Sequence, residues 1–329
     1  MIQVGIRAVG AHVPPLTVSN DDVAAWPGVK VDAKHIGERT GIATRRFAAR
    51  AVPTSWLAYN AVEDLLRRYP DALDGIGGII LSTSTPDQPS PHTAAVLAGM
   101  LDLRVGAWDL NMVCTGGLAA LVHGAVYAQA TGKPMLVVAA DKYSGIMQAA
   151  DWRSSAILAD GAGAVVVGAV PEDYGLLAHG FTTDGSLEAR EMVGVRGGGT
   201  AVPLTPEGLQ LGLDRVGMDG RAVRDWAFAN IPPLVDQVLA EAGATVGDLD
   251  RVIPHQANPR LLAKLAAEMG IDDGRVTYTA NRYGNAGSAS ILIALQESFD
   301  LRPPASGELI GMFALGGGMS GGMALWRCP

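Results

Sequence analysis

Cys114 is the residue of this sequence best placed for chemistry. It lies in the stretch Asp-Leu-Asn-Met-Val-Cys-Thr-Gly-Gly-Leu-Ala-Ala-Leu, where a strand-like run is followed by two glycines and a helical pattern. The free N–H groups and the positive dipole end of a helix start both favour a thiolate, which is the nucleophilic form of cysteine. The alternative is a packed core cysteine, because free cysteine is often fully buried.

Two further residues could complete a site around Cys114. His255 follows the run Arg-Val-Ile-Pro at a strand end, where α/β sheets usually place their sites. Asn285 lies in Tyr-Gly-Asn-Ala-Gly-Ser, which is also a plain turn or helix-cap signal. A thiolate can take an acyl group from a thioester, and neutral His and Asn can both donate to one oxyanion. The set could therefore load an acyl group and stabilise the enolate left when a malonyl thioester loses CO₂.

A weak internal repeat gives a reason why these residues should meet. Ile-Leu-Ser-Thr-Ser-Thr-Pro, which ends at Pro86, resembles Ile-Pro-His-Gln-Ala-Asn-Pro, which ends at Pro259. Pro86 lies 28 residues before Cys114 and Pro259 lies 26 residues before Asn285, and a small-residue helix opens at each later position. If one supersecondary plan is used twice, the two halves pack as pseudo-symmetric copies and their helix starts point at one centre. The alternative is coincidence among segments rich in Ala and Gly.

Strand-like runs alternate with helical patterns along the chain, which indicates an α/β architecture. The strands are near-continuous apolar runs, as expected for sheets that are covered on both faces. Strands are predicted at residues 78–82, 135–140 and 164–170, and helices at residues 55–68, 93–100 and 118–130.

Composition excludes several classes of protein. The 329 residues are 48% hydrophobic and 18% charged, which suits a soluble globular protein with one large core or two fused ones. A net charge of −8 argues against a general nucleic-acid binder. No membrane span is expected, since no window approaches about 18 uninterrupted apolar residues, and the N-terminus lacks the layout of a signal peptide. With only Cys114 and Cys328, a disulfide framework is not expected and a reducing cytoplasm is the default location.

The run Gly316-Gly317-Gly318 follows a strand-like segment. Its bare backbone could approach Cys114 and offer an N–H to a tetrahedral oxyanion, or it could be a tight turn between two strands. The stretch matches a dinucleotide fingerprint and a serine nucleophile elbow only formally, because a last strand follows it where both motifs need a helix. No Walker loop, His-Glu-x-x-His or cluster of metal ligands occurs, so no metal cofactor is expected.

In combination and in order, these motifs resemble the β-ketoacyl-acyl carrier protein synthase III family. The resemblance covers nearly the whole chain and rests on Cys-Thr-Gly-Gly at Cys114, His-Gln-Ala-Asn at His255, Gly284-Asn285 with Ser-Ala-Ser at residues 288–290, Gly316–Gly318, Arg39–Ile42 and Asp160–Ala164. It implies a thiolase fold with two pseudo-symmetric halves that form a layered α-β-α-β-α core. The nucleophilic Cys would belong to the half at residues 1–170, and His and Asn to the half at residues 171–329.

The resemblance also implies roles for particular residues. Cys114, His255 and Asn285 would form the catalytic set, and the N–H groups of Cys114 and Gly317 would form the oxyanion hole. The implied enzyme is an acyltransferase and a homodimer. It would load an acyl thioester on Cys114 and then condense it with malonyl-acyl carrier protein, as in the initiation of fatty acid or polyketide synthesis. Acyl carrier protein and acyl-coenzyme A would be its partners, with coenzyme A or phosphopantetheine thioesters as substrates and no bound cofactor.

Several positions match the coenzyme A or phosphopantetheine entrance of the family, namely Arg39, Arg153, Asn258 and Arg260. His35 and Arg224 are also predicted to bind substrate, but both depart from the family pattern. His35 stands where the family often has a Trp that stacks on the adenine of coenzyme A, and Arg224 stands where a Phe commonly lines the tunnel. Pro232-Pro233 is expected to interrupt its helix. These departures leave a second function open, in which His255 acts as a general base for acyl transfer to a hydroxyl, an amine or a second carrier without condensation. A non-catalytic carrier-binding subunit is a third alternative, which the complete Cys–His–Asn set disfavours.

Overall fold

A computed structural model describes residues 2–329 of the chain. The strands are β1 Gln3–His12, β2 Leu16–Ser19, β3 Thr44–Phe47, β4 Gly78–Ser82, β5 Gly106–Leu110, β6 Met135–Lys142, β7 Asp160–Val170, β8 Gly175–Thr183, β9 Val193–Val195, β10 Val216–Met218, β11 Arg251–Pro254, β12 Leu309–Gly316 and β13 Ser320–Arg327. The α-helices are α1 Asn20–Ala24, α2 Ala33–Thr40, α3 Thr54–Arg68, α4 Thr93–Met100, α5 Gly116–Thr131, α6 Trp152–Ser155, α7 Leu187–Met192, α8 Pro206–Gln210, α9 Gly220–Glu241, α10 Pro259–Glu268, α11 Ala280–Tyr283 and α12 Ala289–Leu301.

Two main sheets repeat one strand order. The first sheet has the order β1-β7-β6-β4-β5, and the second has the order β8-β13-β12-β11. In both, the first two pairings are antiparallel and the third is parallel. The parallel pairing of β4 with β5 has a counterpart in the second sheet. There, Val252 of β11 forms a single parallel bridge with Val276. The repeat found in the sequence is therefore a repeat of topology, and residue 170 falls at the end of β7, before the second sheet begins with β8.

Three layers of helices alternate with these two sheets. Helices α3 and α4 cover the outer face of the first sheet, α9 and α10 cover that of the second, and α5 and α12 lie between the sheets. Neighbouring residues of one strand consequently face different layers. Val137 and Met312 face the central layer, whereas Val138 and Phe313 face the two outer layers. Burial of both sheet faces explains the uninterrupted apolar strands of the sequence.

Helix α5 starts in close contact with the other half of the molecule. A Cβ on Gly117 would lie 2.1 Å from the backbone oxygen of Ser288, and one on Gly116 would lie 2.3 Å from the hydroxyl oxygen of Ser82. A larger residue at position 117 would push α5 away from the start of α12, and one at position 116 would collide with Ser82 of β4, so packing requires both glycines. The short approach brings the start of α5 against the segment that opens α12.

Helix α9 differs from its sequence-based prediction. It runs without a break from Gly220 to Glu241 and contains both Pro232 and Pro233. The two prolines lie on the half-buried to exposed side, while Ile231, Leu234 and other apolar residues of the helix are buried against the second sheet. Packing of that apolar face outweighs the hydrogen bonds that the prolines remove, so the expected interruption is wrong.

The segment that contains Cys114 has an unusually apolar composition. Val113–Thr131 is long and apolar enough to cross a membrane by length and composition alone. It is the only such stretch among residues 2–329, and 61% of its most apolar window is buried inside the protein. Its hydropathy reflects its place in the central layer, where both faces of the helix meet protein.

Candidate active site

Cys114 lies in a single 3-10 turn, Val113–Thr115, which leads directly into α5. Val113 has φ of +48°, a value that β-branched residues rarely adopt, and its N–H donates to Asn111 Oδ1 at 3.0 Å. This turn presents the half-buried Cys114 side chain to a cavity of about 260 Å³, here called the inner cavity. The backbone thus delivers the sulfur to an enclosed space rather than into the core.

The thiol of Cys114 is not activated by its position at the helix start. Burial and, secondarily, the nearby carboxylate of Asp141 raise the pKa of Cys114 to about 12, although the Tyr143 hydroxyl acts in the opposite direction. Burial and Asp141 thus favour the thiol in the resting protein and oppose the thiolate that the helix start is expected to favour. Loss of hydration and a like charge outweigh the helix dipole, so the proton must leave during the reaction.

His255 is the residue that follows β11, and only 2% of its surface is exposed. Its backbone N–H donates to Phe313 O at 2.8 Å, and its ring Nδ1 lies 2.8 Å from Ser290 Oγ. Burial lowers the pKa of His255 to about 4, so the imidazole is neutral at physiological pH. With Nδ1 engaged by Ser290, Nε2 is the ring nitrogen left for the inner cavity, which His255 lines.

Asn285 stands just before α12, in a segment fixed by its own backbone. Its N–H donates to Ile157 O and its carbonyl accepts from Ala159 N, each at 2.8 Å. Its side-chain Oδ1 accepts from the N–H of Gly287 at 2.9 Å. Because a backbone N–H can only donate, this contact fixes the carboxamide orientation and leaves Nδ2 as the donor that faces away.

The structure brings the three residues singled out from the sequence to one place. Cys114, His255 and Asn285 all line the inner cavity. Most of the remaining wall is apolar and comes from both halves, including Ile146, Leu158, Val193, Val216, Leu315 and Met319. A sulfur, an imidazole and a carboxamide therefore share a space walled mainly by hydrocarbon, which suits an apolar acyl group.

The glycine run near the last strand is both a tight turn and a close approach to Cys114. Gly316 pairs with Ser320 at the end of the β12–β13 hairpin, so the run is a tight turn. It is also a close approach, because a Cβ on Gly316 would lie 2.9 Å from the backbone nitrogen of Cys114. Gly317 lines the inner cavity beside Cys114. The turn therefore closes the cavity directly over the start of α5.

A second, larger pocket of about 970 Å³, here called the outer pocket, adjoins the inner cavity. The two share several lining residues: Ile157, Met218, Gly220, Asn258 and Leu261. All six residues predicted to bind substrate or coenzyme A line the outer pocket, namely His35, Arg39, Arg153, Arg224, Asn258 and Arg260. Asn258 also caps α10, because its Oδ1 accepts from Leu261 N at 2.8 Å, so its Nδ2 remains available. The pocket is a charged vestibule to the inner cavity.

Sequence reasoning missed several residues of this region. Trp152 lines the outer pocket and meets His35 edge to face, with ring centroids 5.2 Å apart. Lys264 and Arg221 add positive charge to the same pocket. Asp141 lies behind the inner cavity, fully buried, and its only signal in the sequence is a charged residue near the end of an apolar strand. Among residues 2–329 no group of three or more His, Cys, Asp or Glu is arranged to hold a metal ion.

Comparisons with known proteins agree with this architecture. The family model of the 3-oxoacyl-(acyl-carrier-protein) synthase III C-terminal domain matches residues 239–328, and that of 3-oxoacyl-(acyl-carrier-protein) synthase III matches residues 108–185. The chain is 36% identical to the acetoacetyl CoA synthase NphT7 of Streptomyces sp. strain CL190, over 97% of each chain. It is 34% identical to β-ketoacyl-(acyl-carrier-protein) synthase III 2 of Deinococcus radiodurans, over 99% of this chain and 96% of the relative.

A solved structure supports the same grouping. The β-ketoacyl-(acyl carrier protein) synthase III of Thermus thermophilus superposes with a TM-score of 0.91 at 33% identity, over 99% of each chain. The duplicated five-layered core, with a cysteine at the start of a central helix, is the thiolase fold. Within that class, the chain belongs to the β-ketoacyl-acyl carrier protein synthase III family, as the sequence motifs indicated.

Proposed function

We propose that this protein is a condensing acyltransferase. It loads an acyl group on Cys114 and joins it to malonyl-acyl carrier protein, with loss of CO₂, to give a β-ketoacyl thioester. The observation that carries the proposal is the meeting of Cys114, His255 and Asn285 in one apolar-walled cavity that opens to a charged pocket. The relatives' names, a β-ketoacyl-acyl carrier protein synthase III and an acetoacetyl CoA synthase, support the same chemistry.

In the first half-reaction the Cys114 sulfur attacks the carbonyl carbon of an acyl thioester. A new C–S bond forms, the old C–S bond breaks, and the thiol proton of Cys114 ends on the departing thiol. The product is again a thioester, so the acyl group remains activated. The N–H groups of Cys114 and Gly317 would donate to the oxyanion of the tetrahedral intermediate, an assignment supported by the closure of the Gly316 turn over Cys114.

In the second half-reaction the malonyl carboxylate leaves as CO₂ and its electron pair forms an enolate on the thioester. Neutral His255 and the Nδ2 of Asn285 would donate to that enolate oxygen. Ser290 Oγ already accepts from Gln256 N at 3.1 Å, so its own proton is free for His255 Nδ1, which would place the histidine proton on Nε2. The enolate carbon then attacks the acyl carbon, and the C–S bond to Cys114 breaks. The sulfur leaves as a thiolate and takes up one proton from solvent.

The outer pocket fits the polar arm that carries the acyl group. Its arginines and Lys264 would contact the phosphates of coenzyme A or of a carrier-bound phosphopantetheine, and Trp152 beside His35 offers a flat apolar surface. Acyl-coenzyme A and acyl carrier protein are therefore the proposed partners. Transfer without condensation, which His35 and Arg224 suggested, gains no support, because both residues lie in the outer pocket and not where an acceptor would meet the acyl group.

A homodimer is also proposed, on the basis of the open edge of the first sheet. β5 is the last strand of that sheet, so its outer edge is not paired with another strand. Beside it lie exposed apolar side chains, including Met100, Val126 and Tyr127, the last of which contacts Trp108 of β5. Pairing of two β5 strands would cover this surface. The two free cysteines, Cys114 and Cys328, fit a cytoplasmic location.

The decisive test follows both half-reactions in one sample. The protein is incubated with acyl-coenzyme A of several chain lengths and with malonyl-acyl carrier protein labelled in the free carboxyl group. We expect a mass increase on the peptide that contains Cys114, release of labelled CO₂ and a β-ketoacyl product. Transfer of the acyl group to a small acceptor without CO₂ release would instead establish the non-condensing function.

A further inference from the structure

We propose that Asp141 is a positioning residue that ties the Cys114 and Asn285 segments together and, through its negative charge, keeps Cys114 a thiol while no acyl donor is bound. Asp141 is fully buried in β6 and does not line the inner cavity. It therefore acts through its neighbours rather than on the substrate. The inference rests on the proposed role of Cys114 as the nucleophile.

The carboxylate joins the two halves of the molecule. Its Oδ1 accepts from Ser84 N at 2.7 Å, in the loop that follows β4 of the first sheet. Its Oδ2 accepts from both the backbone N–H and the hydroxyl of Ser288, each at 2.7 Å, at the start of α12. Ser288 in turn packs on Gly116 and Gly117, the residues that begin the helix of Cys114. A chain of direct contacts therefore runs from Asp141 through Ser288 to the nucleophile's turn.

The residue type at this position is constrained by its donors. Ser84 N–H and Ser288 N–H are backbone groups that can only donate, and they face different oxygens of the same side chain. Only a carboxylate offers an acceptor to both. Asparagine would satisfy one of them and turn its own NH₂ toward the other, although the Thr83 and Thr85 hydroxyls beside Oδ1 could accept from it.

None of the groups that contact the Asp141 carboxylate is a cation. The partners of Asp141 are neutral amide and hydroxyl donors, so its field is not cancelled locally. Burial raises the pKa of Asp141 to about 6, which still leaves it charged at neutral pH. The titratable groups that face Cys114 are Asp141 and Tyr143, whose pKa burial raises well above its usual value, and neutral His255 lines the same cavity. Asp141 is thus the charged group that opposes ionisation of the sulfur.

The test is the rate at which iodoacetamide alkylates Cys114 between pH 6 and 10, read by mass spectrometry on the peptide that contains it. Removing a like charge lowers a thiol pKa, and the pKa of Cys114 lies above this pH range. A drop of about one unit in Asp141→Asn should therefore appear as an about tenfold faster alkylation at pH 8 and above. An Asp141→Asn protein that is folded by circular dichroism but keeps the wild-type profile would overturn the proposal.

Two matched variants separate charge from packing. Asp160→Asn removes a second buried carboxylate, which accepts from Ala48 N and Ser144 N at 2.8 Å, but which is not among the charges acting on Cys114. Ser288→Ala removes one hydroxyl donor and leaves the Asp141 charge in place. Both should keep the wild-type alkylation rate at pH 8. A shift in Asp160→Asn as large as that in Asp141→Asn would show that loosened packing exposes Cys114, and the proposal would fail.

Two further outcomes remain interpretable. If Asp141→Asn does not fold, Asp141→Ser removes the same charge and leaves room for a water between the two N–H groups, and the same shift is expected. If the wild-type protein lacks condensing activity but Asp141→Asn still accelerates alkylation, the proposed function falls and the electrostatic role of Asp141 stands.

Discussion

The inner cavity and the outer pocket adjoin each other but are built in opposite ways. The inner cavity encloses about 260 Å³ behind mainly apolar walls, and burial shifts the pKa values of its Cys114 and His255. The outer pocket encloses about 970 Å³, and its charged side chains are exposed. Arg153 and Arg224, for example, are 67% and 50% exposed and pair with nearby aspartates.

This difference indicates how the protein divides binding from chemistry. Dipoles and donors act strongly on developing charge where water is excluded, as in the inner cavity. Exposed ion pairs are weak one by one, so under the proposed function the outer pocket would hold its ligand through many small contacts. Changes in the inner cavity should therefore affect the rate of the chemical steps, and changes in the outer pocket should affect substrate affinity.

The largest effect is expected for Cys114→Ala. Loss of the sulfur removes the acceptor for the acyl group, so condensation should fall at least about a thousandfold, as when other covalent nucleophiles are removed. Intact-protein mass spectrometry after incubation with acyl-coenzyme A should show no acyl-enzyme. Cys328→Ala is the matched control, because that cysteine is buried away from both pockets and should be dispensable. An acyl adduct on Cys114→Ala would break the assignment.

The next effect concerns Asn285→Asp, which keeps an oxygen for the Gly287 N–H but loses the Nδ2 donor. Removing one oxyanion donor costs about a hundredfold to a thousandfold in rate. We expect that loss in release of labelled CO₂ from malonyl-acyl carrier protein, whereas loading of Cys114 should remain near the wild-type rate. Equal losses in both half-reactions would contradict a role for Asn285 at the enolate.

Burial of His255 should appear as a pH dependence of stability. Its pKa in the folded protein is lowered to about 4, so the unfolded chain binds the proton more tightly, and stability is lost as the pH falls below about 6.5. This contribution amounts to about 3 kcal/mol by pH 4. Asp141, with a raised pKa, acts in the opposite direction between about pH 6 and 4, so a variant is needed to isolate the histidine.

Urea unfolding of the wild-type protein and of His255→Asn at pH 7 and pH 4.5 provides that measurement. The variant should lose less stability than the wild type between the two pH values. An identical loss in both proteins would mean that His255 is protonated in the fold, and neutral imidazole chemistry would have to be abandoned.

A smaller effect is expected in the outer pocket. Arg39→Ala and Arg260→Ala each remove one charged contact to the polar arm of the substrate, so KM should rise about tenfold with kcat nearly unchanged. Arg104→Ala, at an exposed arginine outside both pockets, is the matched control. A fall in kcat alone in Arg39→Ala would show that the two regions are not separate in function.

The smallest effect is the response to salt. If an acidic carrier protein docks at the arginines of the outer pocket, raising the ionic strength should lower kcat/KM for the carrier-bound substrate a few-fold, since exposed charges are screened over about 10 Å at 0.1 M. Acylation by a short uncharged thioester should be insensitive. Equal sensitivity of both substrates would place the salt effect outside the outer pocket.

The residues that line the inner cavity could be predicted from the sequence more easily than Asp141, which lies behind them. Cys114, His255 and Asn285 each stand at a strand end or helix start, and such positions leave a local pattern. The strand at 78–82 and the helix at 93–100 also have the predicted bounds. Asp141 left no such pattern, because its partners Ser84 and Ser288 are 57 and 147 residues away in the chain.

Two differences from the sequence-based expectations have the same physical origin. The pKa of Cys114 and the continuity of α9 through Pro232 are both decided by surroundings that distant segments supply. The helix-dipole rule describes a helix end in water, and the proline rule describes a helix that no sheet packs against. In the folded protein, desolvation and packing outweigh the dipole in one case and the missing hydrogen bonds in the other.

The apolar composition of Val113–Thr131 affects how the unfolded chain behaves. When the protein unfolds, this segment emerges with a composition that suits lipid as well as protein, and it contains no Asp, Glu, Lys or Arg to resist self-association. Refolding should therefore lose material to aggregates or to added vesicles in proportion to the time that the segment spends uncovered. The apolar packing that fixes Cys114 in the folded protein therefore makes Val113–Thr131 a segment that we expect a chaperone to bind during folding.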